Sequence, residues 1–202
     1  MPPAADYFLT TTRLGLRHWR NGDLDLARGL WGDPQVTRWI DARGQLTDAQ
    51  VRERLDGEIR CQRDHGVQYW PVFRIEDGRH VGCCGLRPHD PAARVYELGF
   101  HICAHSWRKG YAAEAARAVI AHALGPLGAA GLFAGHHPRN RASRQLLRKL
   151  GFEYTHDEYY AATGCQHPSY RLQATGPAAD KDVQTIRLEK EPGELYKILK
   201  FE

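Results

Sequence analysis

Apolar and polar side chains alternate along several short stretches of the chain, and this period of two residues predicts β-strands. The first stretch, residues 12–19, predicts an edge or half-buried strand that ends at Asn21-Gly22. Two apolar runs, residues 70–75 and 80–86, flank the turn signal Asp77-Gly78, so we expect them to form an antiparallel hairpin.

Apolar side chains recur every three or four residues in other stretches, and this spacing predicts helices. Asp23 can cap a short helix that ends near Trp31. Thr47 can cap a longer helix that carries an apolar residue at every fourth position from Val51 to Ile59. We expect both helices to pack on the sheet and to wall a cleft.

Strands and helices alternate in the second half of the chain. This alternation requires an α/β layer with at least one parallel strand pair, whereas the hairpin before it is antiparallel. The predicted fold class is therefore α/β, with a mixed sheet and flanking helices. The predicted elements are a strand at 95–103, a helix at 112–124, a strand at 132–136, a helix that Asn140 caps and Gly151 ends, and strands at 152–160 and 169–173.

Length and composition favour one domain. The 202 residues, 42% of them hydrophobic, can bury one substantial core but hardly two. No apolar run approaches the roughly 18 to 20 residues of a membrane-spanning helix, and the amino terminus lacks the pattern of a secretory signal. We therefore expect a soluble, cytoplasmic protein without a membrane partner. The net charge of +4 comes from dispersed basic residues, which gives little reason to expect a nucleic-acid partner and would suit an anionic cofactor.

The spacing of cysteine and histidine argues against a disulfide framework and against a metal site. The five cysteines are an odd number without a Cys-x-x-Cys pair, and the eleven histidines are scattered. We expect reduced, mostly buried thiols and no metal.

The last part of the chain reads as a linker and a tail. We expect the domain to cover residues 1–173 and the tail to cover residues 174–202. The apolar positions of the tail favour docking on its own domain or on a second subunit of a homodimer. Its mixed charge is equally typical of a disordered or non-native terminus, so the alternatives stay open.

The clearest functional signal is the loop between the strand at 95–103 and the helix at 112–124. The loop reads Trp107-Arg108-Lys109-Gly110-Tyr111-Ala112, so free backbone N–H groups and the positive end of the helix dipole converge on one point. Gly110 allows a ligand to approach closely, Arg108 and Lys109 add positive charge, and Trp107 can shield the loop. The pattern predicts a phosphate site, although a glycine at a helix start is more often a plain turn.

The order of these motifs resembles the GNAT superfamily of acetyltransferases. The resemblance rests on the strand, the Trp-Arg-Lys-Gly-Tyr-Ala loop with its Glu-Ala-Ala helix, the next strand, the Pro-x-Asn-x-x-Ser helix and the Lys-Leu-Gly-Phe strand. It covers residues 10–173 and is closest to the branch that acetylates the N-termini of ribosomal proteins. It implies the GNAT fold, a mixed and mostly antiparallel sheet whose parallel pair splays at the cofactor site.

The resemblance also implies acetyl-coenzyme A as cosubstrate, and it assigns roles to residues that match the family's motifs. Backbone groups of one strand would bind the pantetheine arm, the glycine-containing loop would hold the pyrophosphate, and the second helix would contact the pantetheine amide region. The strand residues that would bind the pantetheine arm are Phe100, His101 and Ile102. The loop residues that would hold the pyrophosphate are Arg108, Lys109, Gly110, Tyr111 and Ala112. The helix contributes Asn140 to the pantetheine amide region, with Ser143 and Arg144 near the cofactor. Asn140 can at the same time be a plain helix cap.

Transfer of an acyl group to an amine needs a proton acceptor, because only the unprotonated amine attacks a thioester. Glu97 occupies the family's acidic position and is the first candidate for this base; alternatively it is a solvated carboxylate or the partner of an arginine. Glu158 is the second candidate. Leu147 is aligned with the tyrosine that protonates the leaving sulfur in many members. Ser143 is the nearest replacement, unless the thiolate leaves with help from solvent or backbone alone.

Two functions follow from these residues. The first is transfer of an acetyl group from acetyl-coenzyme A to a primary amine, on a protein N-terminus or a small molecule. It would proceed by direct attack in a ternary complex, since no Cys-His or Ser-His pair is visible for a covalent intermediate. The second is a catalytically silent acyl-coenzyme A binding module that acts as a sensor or interaction partner. Glu97 favours the enzyme, and the missing tyrosine favours the module.

Overall fold

The computed structural model describes residues 6–174, which form one mixed sheet with helices on both faces. The predicted tail, from residue 175 onward, lies outside the described residues. The strands in chain order are β1 (Leu9–Thr10), β2 (Leu14–Leu16), β3 (Tyr69–Arg74), β4 (His80–Asp90), β5 (Val95–Ile102), β6 (Gly131–Gly135), β7 (Glu153–Tyr160) and β8 (Cys165–Gln173).

Within residues 6–174, five α-helices flank the sheet, and local chemistry explains where several of them begin. A capping box at Thr47 and Gln50 starts the longest helix, and Gly66 ends it with a φ of 70°. The side chain of Asn140 accepts a hydrogen bond from the Ser143 N–H at 3.1 Å and starts the last helix. The helices are α1 (Leu24–Trp31), α2 (Pro34–Thr37), α3 (Asp48–His65), α4 (Tyr111–Leu124) and α5 (Arg141–Lys149).

The strand order is β1-β2-β3-β4-β5-β6-β8-β7. Neighbouring strands are antiparallel except for β5 and β6, which are parallel. The predicted hairpin is therefore confirmed, as are the mixed sheet, the flanking helices and the parallel pair.

Side chains on the two faces of the sheet form separate cores. On one face, Leu98 of β5 packs with Ala115 and Val119 of α4. On the other face, side chains of β3 and β4 pack with α1 and α3, and Trp31 is fully buried there. Burial of apolar surface on both faces holds α1 and α3 on one side of the sheet and α4 on the other.

The first predicted strand is wrong in extent and in burial. Only Leu14–Leu16 of the stretch 12–19 form a strand, and all three residues are buried. This strand pairs with β1 as well as with β3, so the edge position belongs to β1. Alternation of side chains reports which residues face the core, but it does not reveal whether another strand continues the sheet.

Two further details differ from the sequence prediction. Asp23 precedes α1 as expected, but its carboxylate bonds to the Arg17 guanidinium and to the Arg20 N–H instead of capping the helix. The last strand begins at Cys165, four residues before the predicted start. Within residues 6–174, no helix combines the length and apolar character that crossing a membrane requires.

Candidate active site

The parallel strands β5 and β6 separate partway along their length and open a cleft. Their pairing covers residues 95–97 of β5 and 131–133 of β6. Further along, Ala134 and Gly135 still pair with β8, whereas β5 pairs only with β4. The resulting cleft has a volume of about 710 Å³ and lies between the helices of the two faces.

Alternate backbone groups of β5 face this cleft. The Cys103 N–H donates to the Val81 carbonyl at 3.0 Å, so by strand alternation the backbone of His101 also points toward β4. The backbone groups of Phe100 and Ile102 then point into the cleft. The Ile102 carbonyl accepts a hydrogen bond from the Trp107 indole at 2.7 Å. The backbone N–H and carbonyl groups of Phe100 thus point into the cleft, where a ligand can bind them. His101 contributes its side chain to the lining of the cleft.

The loop before α4 has the geometry of an anion site. Arg108 has a φ of 60° and Gly110 a φ of 82°, a left-handed conformation that glycine adopts without strain. The first intrahelical bond runs from the Glu114 N–H to the Gly110 carbonyl at 3.1 Å. The N–H groups of Tyr111, Ala112 and Ala113 therefore lack intrahelical acceptors, and the glycine before them offers no side-chain cap. All three residues line the cleft.

Arg13 supports this loop, although the sequence analysis did not single it out. Its guanidinium donates to the Lys109 carbonyl at 3.2 Å and pairs with Glu114 at 2.6 Å. The guanidinium carbon also lies 4.9 Å from the centroid of the Tyr111 ring. An arginine on the β1–β2 turn that contacts residues about a hundred positions away carries no local sequence signal, so the pattern could not have revealed it.

Glu97 lies in the cleft on the face of β5 that points toward α3. Burial raises the pKa of its carboxyl group, and this outweighs the opposite effects of the Arg87 cation and of a hydrogen bond from Tyr69. A carboxylate with a raised pKa is a stronger base than an exposed one. Glu158 lines the same cleft from β7, is half exposed, and lies 3.6 Å from the His156 ring nitrogen. The structure therefore brings both candidate bases to one site.

A network of Glu58, Arg87 and Tyr69 lies beside Glu97. Glu58 of α3 is fully buried, accepts a hydrogen bond from the Tyr69 N–H at 2.8 Å, and forms an ion pair with Arg87. The Arg87 guanidinium carbon lies 4.4 Å from the centroid of the Tyr69 ring. Tyr69 is thus held by both its backbone and its ring. The ion pair with Glu58 offsets the positive charge of Arg87, so this charge acts less strongly on Glu97.

The remaining predicted residues divide between the cleft and the surface. Ser143 is half buried and lines the cleft together with Asn140, and Leu147 is buried below them. Lys109 and Arg144 are exposed and do not line the cleft.

Side chains from two strands and two loops enclose the end of the cleft away from α4. The Ala42 N–H donates to the Ala162 carbonyl at 2.7 Å, so the loop after α2 contacts the β7–β8 turn. The rings of Trp39 and His137 lie 5.3 Å apart, and the rings of Tyr160 and His167 lie 4.8 Å apart. These aromatic residues come from separate elements that only the fold brings together.

Comparisons with known proteins agree with this geometry. The family model for the acetyltransferase (GNAT) domain matches residues 13–153. The uncharacterized protein YkkB of Bacillus subtilis (strain 168) is 30% identical over 149 residues, which are 73% of this chain and 86% of YkkB. The uncharacterized N-acetyltransferase p20 of Bacillus licheniformis is 26% identical over 145 residues, which are 72% of this chain and 82% of p20.

A solved structure supports the fold. RimL, a ribosomal L7/L12 alpha-N-protein acetyltransferase in complex with coenzyme A, matches with a TM-score of 0.72 at 14% identity, covering 84% of this chain and 100% of the RimL chain. At this identity the likeness is one of fold. The resemblance that the motifs predicted is confirmed by the family model, and the chain belongs to the acetyltransferase (GNAT) domain family.

Proposed function

We propose that the protein transfers an acetyl group from acetyl-coenzyme A to a primary amine, on a protein N-terminus or a small molecule. One observation carries the proposal: a backbone anion site, strand backbone that lacks a neighbouring strand, and a half-buried carboxylate with a raised pKa line a single cleft. A phosphate-binding module alone would not need such a carboxylate.

The cofactor half of the cleft fits a phosphorylated, extended ligand. The N–H groups of residues 111–113, with Arg108 beside them, would bind the pyrophosphate. The backbone of Phe100 would pair with the pantetheine arm as a strand pairs with its neighbour, and Asn140 lies farther along that arm. When bound, acetyl-coenzyme A supplies an acetyl group activated as a thioester.

Glu97 would act as the general base, directly or through a water molecule. The amine nitrogen attacks the thioester carbonyl carbon, the C–S bond breaks, and the amine proton passes to the Glu97 carboxylate. The Arg87 cation and the Tyr69 side chain lie near this carboxylate and moderate the rise of its pKa. Glu158 remains the second candidate, and its side chain is 42% exposed.

Ser143 would pass a proton from solvent water to the departing thiolate, which restores its own hydroxyl. It is the hydroxyl of the first turn of α5, it is half buried, and it lines the cleft. The buried Leu147 stands where many family members have the tyrosine that protonates the leaving sulfur. The absence of this tyrosine favours a second function, acyl-coenzyme A binding without turnover.

Two measurements separate these functions. Calorimetry with acetyl-coenzyme A tests binding, and release of free coenzyme A thiol with a panel of primary amines tests turnover. We expect binding together with amine-dependent thiol release. Binding without thiol release from any amine or N-terminal peptide would support the silent module, and absence of binding would refute both.

A further inference from the structure

We propose that the acceptor amine carries a carboxylate group and that Arg54 binds it. This inference rests on the proposed acetyl transfer and adds the chemical class of the acceptor. Nothing in the motifs of the sequence marks Arg54, since it is one of several arginines on α3.

Arg54 is held rigidly at the wall of the cleft. Its guanidinium carbon lies 5.1 Å from the centroid of the Trp31 ring, which is fully buried. The side chain is half buried and lines the cleft. An arginine stacked on a fixed indole has already lost much of its conformational freedom, so it can bind a planar anion at a lower entropic cost.

The charge of Arg54 lacks a counter-ion in the part of the chain that the structure describes. Its Nε is buried without a hydrogen-bond partner, and no ion pair joins Arg54 to a carboxylate among residues 6–174. Asp41 feels the Arg54 charge, but the pKa of Asp41 is lowered mainly by a hydrogen bond from Arg43. Glu58 is taken by Arg87. A partly desolvated cation without a partner is costly, and an anionic ligand would remove that cost.

His101 offers a second donor beside Arg54. The Trp31 indole N–H, which can only donate, bonds to His101 Nδ1 at 3.2 Å, so the neutral ring carries its proton on Nε2. Burial, followed by the Arg54 and Arg87 cations, lowers the pKa of His101 well below its usual range, which keeps the ring neutral. Arg54 and His101 both contact Trp31 and both line the cleft, so each can donate a hydrogen bond to an anionic ligand there.

The distance between this site and the base indicates where the carboxylate lies in the acceptor. Glu97 and His101 point to the same face of β5 and are four residues apart, about 13 Å along an extended strand. An amine near Glu97 and a carboxylate near Arg54 must therefore be joined by several bonds. Both a small ω-amino acid and a peptide N-terminus with an acidic side chain at its third residue have this arrangement.

Matched pairs of amines test the inference. The small pair is 6-aminohexanoate and its amide, and the peptide pair is Ser-Gly-Glu and Ser-Gly-Gln, both with amidated C-termini. We expect the carboxylate member of at least one pair to have the higher kcat/KM by about tenfold, the usual scale of a charged hydrogen bond. The pair that shows the preference identifies the source of the carboxylate. A ratio near one in both pairs would overturn the inference while leaving the acetyl transfer intact.

Three variants show whether Arg54 causes the preference. Arg54→Gln should lower the carboxylate-to-amide ratio about tenfold, and Arg54→Lys should recover part of it by restoring the charge. Arg52→Gln is the matched control, because Arg52 is exposed on the same helix and does not line the cleft. A ratio that Arg54→Gln leaves unchanged in a folded protein would assign the preference to another residue and refute the inference.

A binding measurement keeps the test independent of turnover. Calorimetry of coenzyme A-loaded protein with 6-acetamidohexanoate and with its amide should show tighter binding of the carboxylate, and Arg54→Gln should abolish the difference. If no amine is acetylated but this preference persists, the proposed function fails and the anion site stands. If neither compound is preferred and amines are acetylated, the anion site fails and the proposed function stands.

Discussion

The phenol ring of Tyr69 lies across Gly99, at a position where a Cβ atom on residue 99 would overlap the ring. Residue 99 stands between Glu97 and His101 on the same face of β5. The missing side chain therefore lets the Tyr69 ring lie against β5 between these two residues, near the Glu97 carboxyl group, whose pKa it influences.

Substitution of this glycine should displace Tyr69 and with it the base. We expect Gly99→Ala to lower kcat at least tenfold and to destabilise the protein by about 1 to 3 kcal/mol, the usual cost of overpacking. Gly29→Ala is the control, since a Cβ at this exposed helical position meets no atom within 4 Å. It should slightly raise the melting temperature and preserve activity. Full activity of a folded Gly99→Ala protein would show that the position of Tyr69 is unimportant.

The anion loop can be tested by comparing two glycines with similar backbone strain. Gly110→Val should weaken acetyl-coenzyme A binding at least tenfold, about 1.4 kcal/mol, because valine disfavours a φ of 82° and crowds the approach to the N–H groups. Gly78→Val places the same side chain at a φ of 70° in the distant β3–β4 turn. It should lose stability but not affinity. Equal calorimetric affinity for Gly110→Val and the native protein would place the pyrophosphate elsewhere.

The buried Glu58 should be among the most sensitive positions for stability. Glu58→Gln leaves the Arg87 cation without its partner, and breaking a buried ion pair in this way costs about 3 to 5 kcal/mol. Glu53→Gln, on an exposed position of the same helix, should cost less than about 0.5 kcal/mol. Urea unfolding measures both. A similar small cost for the two variants would mean that Arg87 does not depend on Glu58.

His80 should make stability depend on pH. Burial lowers its pKa to about 4 in the folded protein, against an ordinary value of 6.5, and its buried Nε2 has no hydrogen-bond partner among residues 6–174. Above pH 6.5 both states are neutral, so His80 adds no pH dependence. Between pH 6.5 and 4 the unfolded chain binds a proton that the folded protein does not, and stability falls as the pH falls, by up to about 3 kcal/mol.

The His80→Phe variant should lose this part of the pH dependence, because phenylalanine can pack beside Trp19 and Phe73 without taking up a proton. His65→Phe, at an exposed helix end, should retain it. Parallel stability curves for His80→Phe and the native protein between pH 4 and 6.5 would contradict the assignment.

Features that depend on a few adjacent residues could be predicted from the sequence. Asp77-Gly78 indicated a hairpin turn, and Gly110 indicated a position where a ligand can approach the backbone closely. Both glycines have positive φ in the structure, a conformation that favours glycine. The strand that leads into Gly110 was predicted from alternating side chains and the helix after it from the spacing of apolar residues, and the structure contains both.

Features that depend on distant residues could not be predicted in this way. The length of β2 is set by pairing with β1 and β3 together, which alternation in one strand does not encode. The contact of Arg13 with the anion loop and the stacking of Arg54 on Trp31 join separate elements. The side chain of His101 was missed because the family motif directs attention to its backbone.

The role of Glu97 is the central claim, and the pH dependence of kcat/KM in the Glu97→Gln and Glu158→Gln variants tests it most directly. We expect Glu97→Gln to lower the rate by about 10² to 10⁴ and to remove the acid limb of the profile, with acetyl-coenzyme A affinity nearly unchanged. In the native protein this limb should lie above the ordinary carboxyl range, since burial raises the pKa of Glu97. Glu158→Gln should keep the limb and most of the rate. The reverse outcome, an active Glu97→Gln protein and an inactive Glu158→Gln protein without the acid limb, would contradict the account.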